Sequence, residues 1–241
     1  MIKLKPLIYE IDSNKILVPR RSGPEREKRW IQEIYRKIQD YIKDGCRGNL
    51  ELYNTPIKIL PDNLKTVGGY LCLSGSKIED LNNLEYVGGG LYLSNTSIKK
   101  LPDNFKKTDF SIFLNESQIE DLNNLEYVGK DLKLLNSQIK NLNKLKYVGR
   151  SLDLDFSKIE DLGQLEYVGG NLYLSKTSIK RFPDNLKQIN KSLDLSGSKI
   201  EDLNNLEYVA GDLCLRYTPL SKTTTPEEIR SKIYVSGIIL L

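Results

Sequence analysis

The stretch Val67-Gly68-Gly69-Tyr70-Leu71-Cys72-Leu73-Ser74-Gly75-Ser76-Lys77-Ile78 decides the fold, because the chain writes it again. It returns at 87–98 as Val-Gly-Gly-Gly-Leu-Tyr-Leu-Ser-Asn-Thr-Ser-Ile and at 168–179 as Val-Gly-Gly-Asn-Leu-Tyr-Leu-Ser-Lys-Thr-Ser-Ile. Self-similarity at a fixed period is the signature of stacked repeats. The Leu-x-Leu element runs through nine copies, starting at Leu50, Leu71, Leu91, Ile112, Leu132, Leu152, Leu172, Leu193 and Leu213. Successive starts lie 20 or 21 residues apart, and the longer spacing belongs to copies whose second half resembles Leu60-Pro61-Asp62-Asn63-Leu64.

Leu-x-Leu is alternation of period two, so both leucines face one side of a short strand and the middle residue faces the other. Five residues after the second leucine an Ile or Leu returns to the interior, as at Ile57, Ile78 and Ile98. One such unit cannot enclose its own core, so the units must stack.

This pattern resembles the leucine-rich repeat, L-x-x-L-x-L-x-x-N-x-L, in its shortest class of about 20 residues with Leu-Pro in the second half. That class is similar to repeats of bacterial effectors and of phage or viral proteins. The resemblance covers about residues 48–220 and departs from the family at one position, where Thr55, Ser76, Thr96, Ser117, Ser137, Ser157, Thr177, Ser198 and Thr218 replace asparagine. A Ser/Thr ladder is expected there, since a hydroxyl can bond backbone groups at a turn. The resemblance implies a solenoid of nine short parallel strands on a concave sheet, with an irregular or 3-10 convex side. It also implies a binding role, and a phage or bacterial protein acting on a host factor in the cytoplasm.

The ends read as caps. Residues 1–47 hold a hairpin around Asp12-Ser13-Asn14-Lys15, followed by an amphipathic helix that Pro24 opens and Gly45 ends, with Ile31, Ile34, Tyr35, Ile38, Tyr41 and Ile42 on one stripe. Residues 221–241 read as a second cap, in which Thr225-Pro226-Glu227-Glu228 starts a helix and Val235–Leu240 imitates a repeat strand.

Composition narrows the function. The 241 residues are 39% hydrophobic and 28% charged, with net charge +4 and no histidine. No apolar run approaches the ~20 residues of a membrane span, and no secretory signal is read at the N-terminus. The missing histidine removes the commonest general bases and zinc ligands. Three cysteines without C-x-x-C spacing fit a reducing compartment. Asp153 and Asp155 share a strand face, but glycoside hydrolysis needs its carboxylates to flank a bond in a cleft. The Gly-Gly pairs recur at each strand start and are read as tight turns needing permissive backbone angles; a phosphate loop would need G-x-x-x-x-G-K-[ST]. No enzyme activity, cofactor or metal site is expected.

The outward columns of the sheet carry the binding expectation. The central column is Glu51, Cys72, Tyr92, Phe113, Lys133, Asp153, Tyr173, Asp194 and Cys214, and no core requirement dictates it. It is flanked on one side by the series from Asn49 and Tyr70 to Asp212, and on the other by the series from Tyr53 to Asp155 and Arg216. The three columns hold six acids and two bases, a net of −4, which disfavours nucleic acid and favours a protein partner with a basic or neutral surface. The candidate binding residues are Tyr70, Tyr92, Phe113, Lys133, Asp153, Asp155, Tyr173, Asp194 and Arg216. A monomeric, non-catalytic scaffold capturing a partner protein is the leading expectation. The alternatives are a self-associating assembly component, using Ile238–Leu241 or the sheet edge, and a carbohydrate-binding module.

Overall fold

The structure is a computed structural model in which residues 23–241 are described. The hairpin expected around Asp12-Ser13-Asn14-Lys15 lies outside the described residues. The chain coils as a solenoid of parallel strands, one turn per 20 or 21 residues, with a helix at its N-terminal end.

Every Leu-x-Leu element forms a two-residue strand, and each strand pairs in parallel with its equivalent one turn on, as in Leu50↔Leu71 and Leu152↔Leu172. The front sheet they build has ten strands, not nine. The tenth is Ile239–Leu240, paired on Leu213–Cys214, and the run Val235–Leu240, expected as one repeat strand, is divided, because Tyr234–Val235 pairs in the other sheet.

The opposite side differs from the expected irregular surface. A residue pair of the type Tyr-Val in each turn forms a second strand, giving a seven-stranded back sheet from Lys107–Thr108 to Tyr234–Val235 and a separate pair, Thr66–Val67 with Tyr86–Val87. Between the two sheets lie the leucines, isoleucines and valines of every turn, nearly all with no exposed surface, in one continuous core.

The glycine pairs have a different cause from the one expected. Gly88 and Gly169 do not adopt the left-handed backbone. A Cβ at Gly88 would stand 2.2 Å from the Gly68 carbonyl oxygen, and one at Gly169 would stand 2.3 Å from that of Gly149. Close approach of successive turns, rather than a special dihedral, excludes the side chain.

The buried hydroxyls also act otherwise than as a ladder between turns. Thr55, Thr96, Ser117, Ser157, Thr177 and Thr218 each donate to the carbonyl three residues back, closing their own turn at 2.6–2.7 Å. Ser76 and Ser137 are buried without a side-chain partner.

Helix α1 (Pro24–Lys43) opens on Gly23 with Pro24 at its first position. It buries Ile34 and Ile38 and packs Trp30, Tyr35, Tyr41 and Ile42 against the core. Polar side chains tie it to the first turns: Tyr35 Oη donates to the Ile59 carbonyl at 2.9 Å, and Tyr41 Oη donates to those of Cys46 and Gly48. Such a cover protects the end of a stack. At the other end a short 3-10 turn, Leu220–Lys222, leads into α2 (Pro226–Arg230). The latter is held by a capping box between Thr225 and Glu228.

Candidate functional site

The alternation of Leu-x-Leu fixes which side chains leave the core. Each flanking leucine is buried, and each middle residue, from Glu51 to Cys214, is half-buried on the outer surface of the front sheet. The sheet brings the expected site residues into two groups.

The first group is aromatic. Tyr92 and Phe113 stack with ring centroids 4.9 Å apart, and Tyr70 meets Tyr92 edge-on at 5.9 Å. Tyr70 Oη donates to the Glu51 carboxylate. That bond, then burial and the Glu51 charge, push the Tyr70 phenol up to about 12. The rings thus cover one another across strands, while keeping a partly open surface that the core does not require.

The second group is charged. Lys133 Nζ stands 3.4 Å from Asp153 and 5.5 Å from the centre of the Tyr173 ring. Tyr173 Oη accepts from Asn171 Nδ2 at 2.7 Å. Asp155 accepts from the Ser175 backbone N–H at 2.7 Å, and Asp194 accepts from both the backbone and the hydroxyl of Ser196. Burial is the main cause that raises the Asp155 carboxyl above its usual range, with the charges of Asp153 and Asp194 adding to it. Arg216 is not brought into either group; it stands exposed near the last turn.

One column proves to be structural. Ser111 Oγ accepts from the Asp131 N–H, Asp131 from Ser151, Ser151 from Asn171, Asn171 from Ser192, Ser192 from Asp212, and Asp212 from Ile238. Each side-chain oxygen takes the N–H of the following turn, where the strand itself is too short to pair it. From Ser111 to Asp212 the identities that looked free on the sequence are therefore constrained to carry an oxygen. Asp131 and Asp212 owe their place to this ladder, and part of the acidity of the face has this origin.

Two features escaped the sequence reading. The back sheet carries its own aromatic row, Tyr127, Tyr147 and Tyr167, stacked at 4.7 and 4.6 Å. Their planes lie within 9° of parallel, so the middle ring has both faces covered and offers only its edge and hydroxyl. The other feature is the rim where each turn leaves the front sheet. One residue per turn there has positive φ: Asn54, Gly75, Asn95, Glu116, Asn136, Phe156, Lys176, Gly197 and Tyr217. The recurrence of Asn and Gly one residue before the buried Ser/Thr was the available signal.

The cysteines show no reactive arrangement. All three are unpaired and half-buried, and burial pushes the Cys72 thiol up. Among the described residues, no group of three Cys, Asp or Glu side chains is placed to hold a metal ion. No helix among them is long and apolar enough to cross a membrane. A polar hollow of about 900 Å³ lies on another flank, lined by Glu160, Asp161, Lys180, Arg181 and Asn204 among others. Gly163, which also lines it, stands where other turns carry Asn82, Asn123, Asn143 or Asn204.

No protein-family model matches the chain, and no curated protein sequence matches it. The molecule is therefore defined by its architecture: a parallel-strand solenoid with turns of about 20 residues and an N-terminal helix.

Proposed function

We propose that the solenoid is a short-class leucine-rich repeat acting as a non-catalytic scaffold, and that it captures a partner protein on the front sheet. The observation that carries this reading is the Tyr70–Tyr92–Phe113 cluster. Three aromatic rings lie side by side on the outer surface of a sheet whose core needs are already met by the leucines beneath. Rigid aromatic rings on a fixed backbone offer large contact area at small entropy cost, which is why such residues anchor interfaces. Asp153, Asp155 and Asp194, with Tyr173 beside them, favour basic groups on the partner. A phosphate-rich ligand would meet a net-negative surface.

The test is affinity capture from a lysate of the source cells, with the wild-type chain beside Tyr92→Ala/Phe113→Ala/Tyr173→Ala. A protein retained by the wild type and lost by the variant supports the reading. Retention by both places the interaction on another surface.

A second reading rests on the far edge of the front sheet. Ile239–Leu240 is the last strand, and the neighbouring Ile238 is 57% exposed. An edge strand is a template for pairing with another chain, which favours self-association. Light scattering after size exclusion separates the two, because a strict monomer sets this second reading aside.

A further inference from the structure

On the rim beside the front sheet, five turns place Asn or Gly in the left-handed backbone region, as its sterics favour. Glu116 (φ +56), Phe156 (φ +58), Lys176 (φ +55) and Tyr217 (φ +61) break that rule, and Phe156 and Tyr217 do so with a bulky ring. A bulky ring is disfavoured at positive φ. The rings also stand in water, Phe156 50% exposed and Tyr217 86% exposed. For folding alone, Asn would serve better at both positions, as it does at Asn54, Asn95 and Asn136.

The Lys176 ammonium stands 4.9 Å from the centre of the Phe156 ring. That pair shows what an aromatic ring on this rim attracts, namely a cation. Between Lys176 and Tyr217 the rim residue is Gly197, so one position lacks a side chain and the two flanking residues stand two strand spacings, about 10 Å, apart. The outward columns of these same four turns carry Asp153, Asp155, Asp194 and Asp212 against Arg216, a net of −3.

We propose that the Phe156–Tyr217 rim anchors a basic segment of the partner protein. A Lys or Arg of that segment lies against Tyr217 as Lys176 lies against Phe156, and its neighbours pair with Asp155 and Asp194. The inference rests on the protein-binding reading and adds, on the last turns, a second contact to the one made by Tyr92 and Phe113. Arg216, on the turn of Tyr217, is the opposing charge. Approach over Gly197, on the turn that carries Asp194, keeps the incoming cation on the acidic side.

The test is calorimetric titration of the full chain with two synthetic 14-residue peptides. One alternates Lys or Arg with Leu; the other replaces the basic residues by Glu. Phe156→Asn/Tyr217→Asn leaves the protein's charge unchanged, so its effect cannot be assigned to charge. The wild type should bind only the basic peptide, and this variant should bind it at least tenfold more weakly. The variant should also melt higher by about 2–4 °C per site, because strain is released. Unchanged affinity in this variant, with loss in Tyr92→Ala/Phe113→Ala, overturns the rim and leaves the platform reading standing. A lower melting temperature shows that the rings serve the fold and also overturns the rim. If the wild type ignores both peptides, the basic-partner chemistry itself falls. A dimer in light scattering that Phe156→Asn/Tyr217→Asn abolishes would assign the rim to a second copy and contradict the proposal.

Discussion

Tyr92 stacks on Phe113 with planes 3° from parallel, one strand apart on the outer surface of the front sheet. Leu91 and Ile112, the residues preceding them, are fully buried. Neighbouring positions on one strand thus answer to different demands, the core on one side and the surroundings on the other.

Truncation should separate these demands. Leu132→Ala and Leu152→Ala remove fully buried side chains and should each cost about 2–5 kcal/mol. Tyr92→Ala or Phe113→Ala loses the ring stacking, worth about 0.5–1.5 kcal/mol beyond the area covered, and should leave the fold intact. Urea denaturation with far-UV dichroism reads both; equal losses in the two sets would contradict the assignment of faces.

The side-chain ladder makes its own prediction. Asn171→Ala removes the acceptor of the Ser192 N–H and the donor to Tyr173, and Ser192→Ala removes the acceptor of the Asp212 N–H. Each should cost about 1 kcal/mol or more, depending on how well water replaces the lost oxygen. Ser94→Ala, on the flanking column, should stay within about 0.5 kcal/mol. If all three behave alike, the ladder contributes nothing measurable.

Gly169→Ala places a methyl group against the Gly149 carbonyl, which belongs to the backbone and cannot turn away. A loss of about 1–3 kcal/mol is expected, as for other overpacked sites. Gly23→Ala meets nothing within 4 Å and should cost less than about 1 kcal/mol. Thermal melts of the two variants decide this, and a neutral Gly169→Ala would show that the turns can move apart.

Asp155 sets a pH dependence. Burial raises its folded carboxyl above the ordinary 3.8, so the folded state holds a proton that the unfolded state has released. Stability from this group therefore falls as pH rises from the unfolded value through the folded one. Asp155→Asn keeps an oxygen for the Ser175 N–H and removes the buried charge. It should melt above the wild type at pH 7 and lose that advantage as pH falls below the ordinary carboxyl value. An advantage that persists at low pH would mean that the charge is not its cause.

How much of this was legible in the sequence follows from how many inward residues each element has. Leu71-Cys72-Leu73 and its copies carry two buried residues around one outward residue, a pattern that alternation reveals directly. The front sheet could be read in this way, and helix α1 from its apolar stripe at helical spacing, whereas Val235–Leu240, read as one strand, is divided between the two sheets. The back strands, such as Tyr147–Val148, bury a single valine and show no period of their own. The ladder from Ser111 to Asp212 was hidden because Ser, Asp and Asn share an oxygen rather than a residue type. The glycine pairs were recognised but explained wrongly, since the obstructing atom lies one turn away. On the front sheet, the residues were placed correctly as a row, while their division into an aromatic group, a charged group and a detached Arg216 came from side-chain geometry alone.

The most direct measurement of the central claim is a set of dissociation constants for the captured partner, once purified. It compares the wild type with one front and one back variant, Tyr92→Ala/Phe113→Ala/Tyr173→Ala and Tyr127→Ala/Tyr147→Ala/Tyr167→Ala. The front variant should bind at least tenfold more weakly, about 1.4 kcal/mol, and the back variant should match the wild type. Weakening confined to the back variant would contradict the account and move the binding surface to the other sheet.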